Sequence, residues 1–147
     1  RTTRGTPALA PMVQACIKSP APAALQRCYE KLLGAEVLVM INQRVPGLPN
    51  GALLTPRSGV RVEFVTAVYP VTGARIVPVF SDATTLMTHF TPHPETQRDT
   101  IPYIGMRGRD LLAVVGGHGI ALYAAKEAFY ISADTIHTLL HRHKGRG

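Results

Sequence analysis

ARIVPVFSDATTLMTHF, residues 74–90, and GRDLLAVVGGHGIALYAAKEAFYISADTIHTLL, residues 108–140, decide the fold of this chain. The first stretch reads as a strand that runs straight into a helix. Arg75 to Phe80 is rich in β-branched and aromatic residues, which suit a pleated surface. Ser81 then offers an N-cap oxygen and Asp82 a first-turn carboxylate. Ala83, Leu86, Met87 and Phe90 follow on one helical face. Pro78 has no N–H for a ladder, so its strand is expected at a sheet edge or bulged at that point. In the second stretch a short helix from Arg107 to Val115 stops at Gly116-Gly117. Ile120 to Ala124 and Phe129 to Ile131 then form a hairpin around Lys126-Glu127. Ser132 caps a last helix with the stripe Ile136, Leu139 and Leu140.

Upstream, Pro22 to Gly34 carries Leu25, Cys28, Tyr29, Leu32 and Leu33 at helical spacing, with Pro22 in the first turn and Gly34 at the stop. Glu36 to Gln43 is apolar on both faces, the pattern of a central strand. Arg44 to Ser58 is dense in proline and glycine and reads as a loop. From Gly59 to Tyr69, Val60, Val62, Phe64 and Val68 alternate with polar positions such as Arg61 and Glu63, which predicts a half-buried antiparallel strand. Thr91 to Tyr103 reads as an exposed loop. Residues 1–21, with Pro7, Pro11 and Pro20 among many Ala and Thr, read mainly as an extended arm, with one short helical turn around Val13 to Ile17. The fold class is α+β: a mixed, mostly antiparallel sheet of about five short strands flanked by about four helices. The organisation is an arm over 1–21, a domain over 22–143 and a basic tail over 144–147.

A chain of 147 residues is long enough to bury one core without disulfide or metal staples. Its apolar runs, such as Val37 to Ile41, are strand-sized, far short of the roughly 20 residues that cross a bilayer as a helix. The net charge of +7 favours polyanions or acidic partner surfaces. Aromatic residues do not interleave with the basic ones, which weakens a nucleic-acid reading.

Four motifs invite chemistry, and each has a plainer explanation. Gly116-Gly117-His118-Gly119 follows a helix and precedes a strand, the reverse of a phosphate loop, so it reads as a turn. His137 and His141, four apart, could reach one metal, yet no further ligand stands at metal spacing nearby. They read as solvated or partner-facing. His89, His93, Glu95 and Asp99 read as loop polarity, without an activated nucleophile beside them. Cys16 and Cys28 make no CxxC pattern, and Cys28 lies on an apolar helix face, where it reads as a small buried hydrophobe.

Pro78-Val79-Phe80-Ser81 at a strand end, Asp110-Leu111-Leu112 in a short helix and the closing helix resemble the N-terminal domain of the SseB family, enhanced serine sensitivity protein B. The resemblance covers residues 22–143 and departs from the family pattern at Ala124-Ala125. It implies a domain without established catalytic residues, in which Asp110 has a structural role. Catalytic, cofactor and metal residues are therefore all expected to be none.

The expected function is a non-catalytic accessory subunit of a large mitochondrial complex, such as the ATP synthase or a respiratory complex, contacting other protein subunits. The opening Arg1-Thr-Thr-Arg-Gly5 has the composition left after removal of a transit peptide. Partner contacts are expected at Arg1, Arg4, Pro7, Pro11, His137, His141, Arg142, Lys144 and Arg146. The alternatives are a mitochondrial ribosomal protein touching RNA through its basic termini, and a free-standing bacterial SseB-like protein.

Overall fold

A computed structural model describes residues 1–90, 102–115 and 117–144; the side chains of Phe90, His143 and Lys144 are outside that description. Five helices and seven strands follow one another as α1 (Leu9–Lys18), α2 (Pro22–Gly34), β1 (Glu36–Met40), β2 (Ala52–Leu54), β3 (Ala67–Val68), β4 (Arg75–Phe80), α3 (Ala83–Phe90), β5 (Tyr103–Arg107), α4 (Gly108–Val114), β6 (Gly119–Ala124), β7 (Glu127–Ile131) and α5 (Ala133–Lys144). They form one mixed sheet in the order β2-β5-β1-β4-β6-β7, with β3 on β4. The β1–β4, β1–β5, β3–β4 and β6–β7 pairings are antiparallel, and β2–β5 and β4–β6 are parallel. The class is α+β, as the hydrophobic pattern predicts.

The alternation of β1 shows how the layers are built. Val37, Val39 and Ile41 enter one core together with Leu9, Val13 and Cys16 of α1, Leu32 of α2, Leu111 of α4 and Ile136 of α5. Leu38 and Met40 point the other way, into a smaller core with Phe80 and Leu86 of α3. Side chains of successive strand residues point to opposite faces, so a continuous apolar run demands cover on both. Four helices cover one face and α3 the other.

Three predicted segments differ from the structure. Residues 1–21 are not an extended arm. Leu9–Lys18 is a full helix whose Leu9, Val13 and Cys16 are buried. Before it, residues 1–6 strap across the sheet. Thr2 bridges Ala52 and Gly5 bridges Asp82; Thr6 N donates to Ser81 O at 2.7 Å, and Ala83 N donates to Arg4 O at 2.8 Å. Pro11 sits within the first turn of α1, where a missing N–H costs little.

Pro78 is not at an edge: β4 lies between β1 and β6. Ser81 N donates to Tyr123 O of β6, so the odd-numbered residues of β4 turn their N–H toward β6. Pro78 turns its nitrogen the other way, at the point where the partner changes from β3, opposite Ile76, to β1, opposite Val79. The missing donor falls in a gap in the ladder.

The expected strand over 59–69 shrinks to β3, plus one bridge between Ile41 and Phe64. In exchange, β2 appears inside the segment read as a loop over 44–58, and β5 runs from the last residue of the loop read over 91–103 to the first residue of the helix read over 107–115. Gly108 is required where α4 meets α2, because a Cβ there would overlap the Leu32 carbonyl.

The cap of α3 is Asp82 rather than Ser81: Asp82 Oδ1 accepts from Thr85 N at 2.8 Å. Ser132 caps α5 as predicted, accepting from Thr135 N at 3.1 Å.

Leu9→Ala is expected to cost about 2–5 kcal/mol in urea unfolding, since it empties a fully buried site; an arm lying free would leave stability unchanged. Asp82→Ala should cost about 1–2 kcal/mol and Asp82→Asn clearly less, because Asn keeps the acceptor.

Candidate functional site

The residues expected to meet partners fall in two places. Arg1 pairs with Glu36, and its carbonyl accepts from Leu53 N at 2.9 Å. Arg4, Pro7 and Pro11 are exposed, but the chain that carries them is bound to its own sheet. At the other end, His137 and His141 stack with ring centroids 6.3 Å apart on the exposed side of α5. Arg142 Nη1 donates to Gln26 Oε1 of α2 at 3.1 Å. Lys144 ends α5, and Arg146 lies outside the described residues. The N-terminal group is thus engaged within the domain, and the C-terminal one rests partly on α2.

A sizeable hollow of the described surface lies elsewhere. It is a cleft of about 910 Å3 between residues 59–66 and α4. Its floor is the helix-covered core itself: Leu54 of β2, Val77 of β4, Met106 of β5 and Val115 after α4, each at most 7 % exposed. Ala113 and Val114 line the α4 side, and Val114 is 54 % exposed. The opposite wall starts at a turn of 3-10 helix over Pro56–Ser58, where Thr55 and Ser58 cap each other. Gly59 ends that turn with φ +68°, a left-handed conformation that glycine adopts without strain. From there the chain runs through Val60, Arg61, Val62 and Glu63 to Phe64. Val62 and Phe64 pack against the core, whereas Arg61 and Glu63 are exposed. Asn42, Asp110 and His118 add polar groups at the margins.

The sequence matches the family model of the SseB protein N-terminal domain over residues 9–138. The chain belongs to the SseB family. Comparison with curated proteins and with solved structures gives no match. The family match starts at Leu9 and so covers α1, whose Leu9, Val13 and Cys16 are buried.

None of the nine residues expected to meet partners lines the cleft. Its one signal in the sequence is the alternation Val60-Arg61-Val62-Glu63-Phe64, which reads as strand and conceals that the segment pairs only at its far end. Asp110 lies in the first turn of α4, the structural position the resemblance implies, and also borders the cleft.

The remaining motifs take the following places. Gly117 turns the chain with φ +86° between α4 and β6, while Gly116 lies outside the described residues. His89 packs against Phe80 and Tyr123, with centroids 5.2 Å and 5.3 Å away; His93, Glu95 and Asp99 lie outside the described residues. Among the described residues no group of three or more His, Cys, Asp or Glu is placed to hold a metal, and no helix is long and apolar enough to cross a membrane. Cys16 and Cys28 are free thiols in contact across the α1–α2 interface. Burial, reinforced by Cys16, pushes the Cys28 thiol up from its ordinary 9.0 to about 12.

A raised thiol pKa has a defined consequence for stability. Below pH 9 both folded and unfolded states hold the Cys28 proton, and pH has no leverage through this group. Between pH 9 and about 12 only the unfolded state releases it, so stability should fall with rising pH in that window. Comparing urea midpoints of wild type and Cys28→Ala across that range checks the sign: the alanine variant should lose this part of the slope. Neither thiol should react with a disulfide reagent at pH 8 until the chain unfolds.

Proposed function

We propose that this SseB-family domain is non-catalytic and works by docking a partner protein in the cleft between α4 and residues 59–66. The observation that carries the proposal is the floor of that cleft. Leu54, Val77, Met106 and Val115 are core side chains reached from outside through a wall that is only partly stitched to the sheet. Above that floor Val60 and Val114 are 37 % and 54 % exposed, and apolar surface of this kind gains free energy when a partner removes it from water, at about 25 cal/mol per Å2. It offers little to polarise a bond.

Two settings for such a domain differ in who the partner is. In one it is an accessory subunit of a mitochondrial assembly, or of its ribosome; in the other it is a free-standing bacterial protein that recruits a partner on its own. The second setting draws support from the strap. Arg1, Thr3 and Thr6 all bond Glu36 of β1, so the N-terminal residues serve the domain itself rather than a neighbour. The exposed His137–His141 pair and the basic end of α5 are what the assembly setting would use.

Val114→Glu puts a charge on an exposed wall of the cleft and should leave the unfolding midpoint within about 0.5 kcal/mol of wild type. The native protein, sized from a gentle extract, should migrate with a defined partner, and the Val114→Glu variant should migrate alone. If both forms keep the same partner, the cleft is not the docking surface. The partner's identity separates the settings: respiratory, ATP synthase or ribosomal subunits favour the assembly, and a single soluble protein favours the free-standing domain.

A further inference from the structure

The wall of the cleft is unevenly bonded. Asn42 N donates to Glu63 O at 2.8 Å and Val65 N donates to Met40 O at 3.1 Å, which stitches residues 63–65 to the end of β1. The peptide groups of Val60, Arg61 and Val62 have no hydrogen-bond partner among the described residues. A free stretch of backbone beside an apolar floor is the arrangement that accepts an added strand, with main-chain bonds on one side and alternate side chains dropping into the groove.

The charges at one end narrow the choice of occupant. Past Thr55 and Asp110 the cleft continues into a smaller hollow of about 370 Å3, where Arg57 and Arg107 stand. Glu36, also in that hollow, is taken by Arg1, and neither Arg57 nor Arg107 has a carboxylate partner among the described residues. The whole chain carries +7, which disfavours a second copy of itself and favours an acidic partner.

On the reading that the cleft is the docking surface, we propose that its occupant is an extended segment of a partner protein, added as a strand alongside Val60–Val62, with apolar side chains at every second position and an acidic end against Arg57 and Arg107. The main-chain groups of the segment bond the free peptide groups of the wall. Its apolar side chains cover Leu54, Val77 and Met106.

A displayed random-peptide library, selected on the full chain and counter-selected on Val114→Glu, tests this directly. Enriched peptides should alternate apolar and polar residues and carry Asp or Glu toward one end. A synthetic copy of an enriched peptide should bind about tenfold more weakly once its wall-facing amides are N-methylated, the size of effect that loss of one or two hydrogen bonds produces. Arg57→Ala with Arg107→Ala should weaken it further at low salt, and the difference should shrink as salt rises. Peptides with helical spacing, or binding indifferent to N-methylation, would overturn strand addition while leaving the cleft as a docking surface. Self-association of the chain abolished by Val114→Glu would overturn it in favour of a second copy. Enrichment that never depends on Val114 would remove the docking reading itself.

Discussion

Ser81 and Asp82 are where the separate parts of this domain are tied together. Ser81 and Asp82, with Thr85, are the buried polar residues of the described chain, and their partners come from four different elements. Ser81 N bonds β6 through Tyr123 O, and Ser81 O receives Thr6 N from the strap. Asp82 caps α3 through Thr85 N, and Thr85 Oγ1 receives Ala125 N from the β6–β7 turn. A buried polar group without a partner costs about 1–3 kcal/mol, so such a cluster is tolerable only when all its partners arrive together. That requirement couples the strap, the central strand, the helix on the lesser face and the hairpin. The turn accepts some strain in return: Ala125 holds φ +55°, a conformation that L residues seldom adopt.

The two faces of the sheet then fare differently. The lesser face needs only α3, with Leu86 on Leu38, Met40 and Phe80. The larger face is tiled by α1, α2, α4 and α5, and the tiling is incomplete beside α4. Residues 59–66 cover part of the gap, but only 63–65 pair with the end of β1. The cleft runs along this segment, including Val60 to Val62, which make no pairing among the described residues.

Legibility followed the strength of local periodicity. Helix α2 was readable to its exact bounds because five apolar residues keep one face between Pro22 and Gly34. β1, β4, β6 and α5 were readable for similar reasons. Helix α1 was not, since three prolines across residues 1–21 outweigh Leu9, Val13 and Cys16 in any local count, and only the core they enter makes the helix worthwhile. β2 and β5 are three and five residues long and interrupted by glycine or flanked by proline, so nothing local marks them. Their strand state comes from pairing with each other and with β1.

The sequence by itself determined the α+β class, the family resemblance and the strand-to-helix junction at Phe80-Ser81-Asp82, because each rests on the order and spacing of residues close along the chain. It also placed the polar and apolar faces of the long helices, through the 3.6-residue period alone. Only the tertiary structure decided that residues 1–6 bind their own sheet, that Pro78 fits a central strand at a gap in its ladder, and that a cleft with an apolar floor lies between α4 and residues 59–66. Each of those depends on backbone groups meeting across dozens of residues. Whether a peptide group is bonded or free is a property of its neighbours in space, which no local pattern of side chains records.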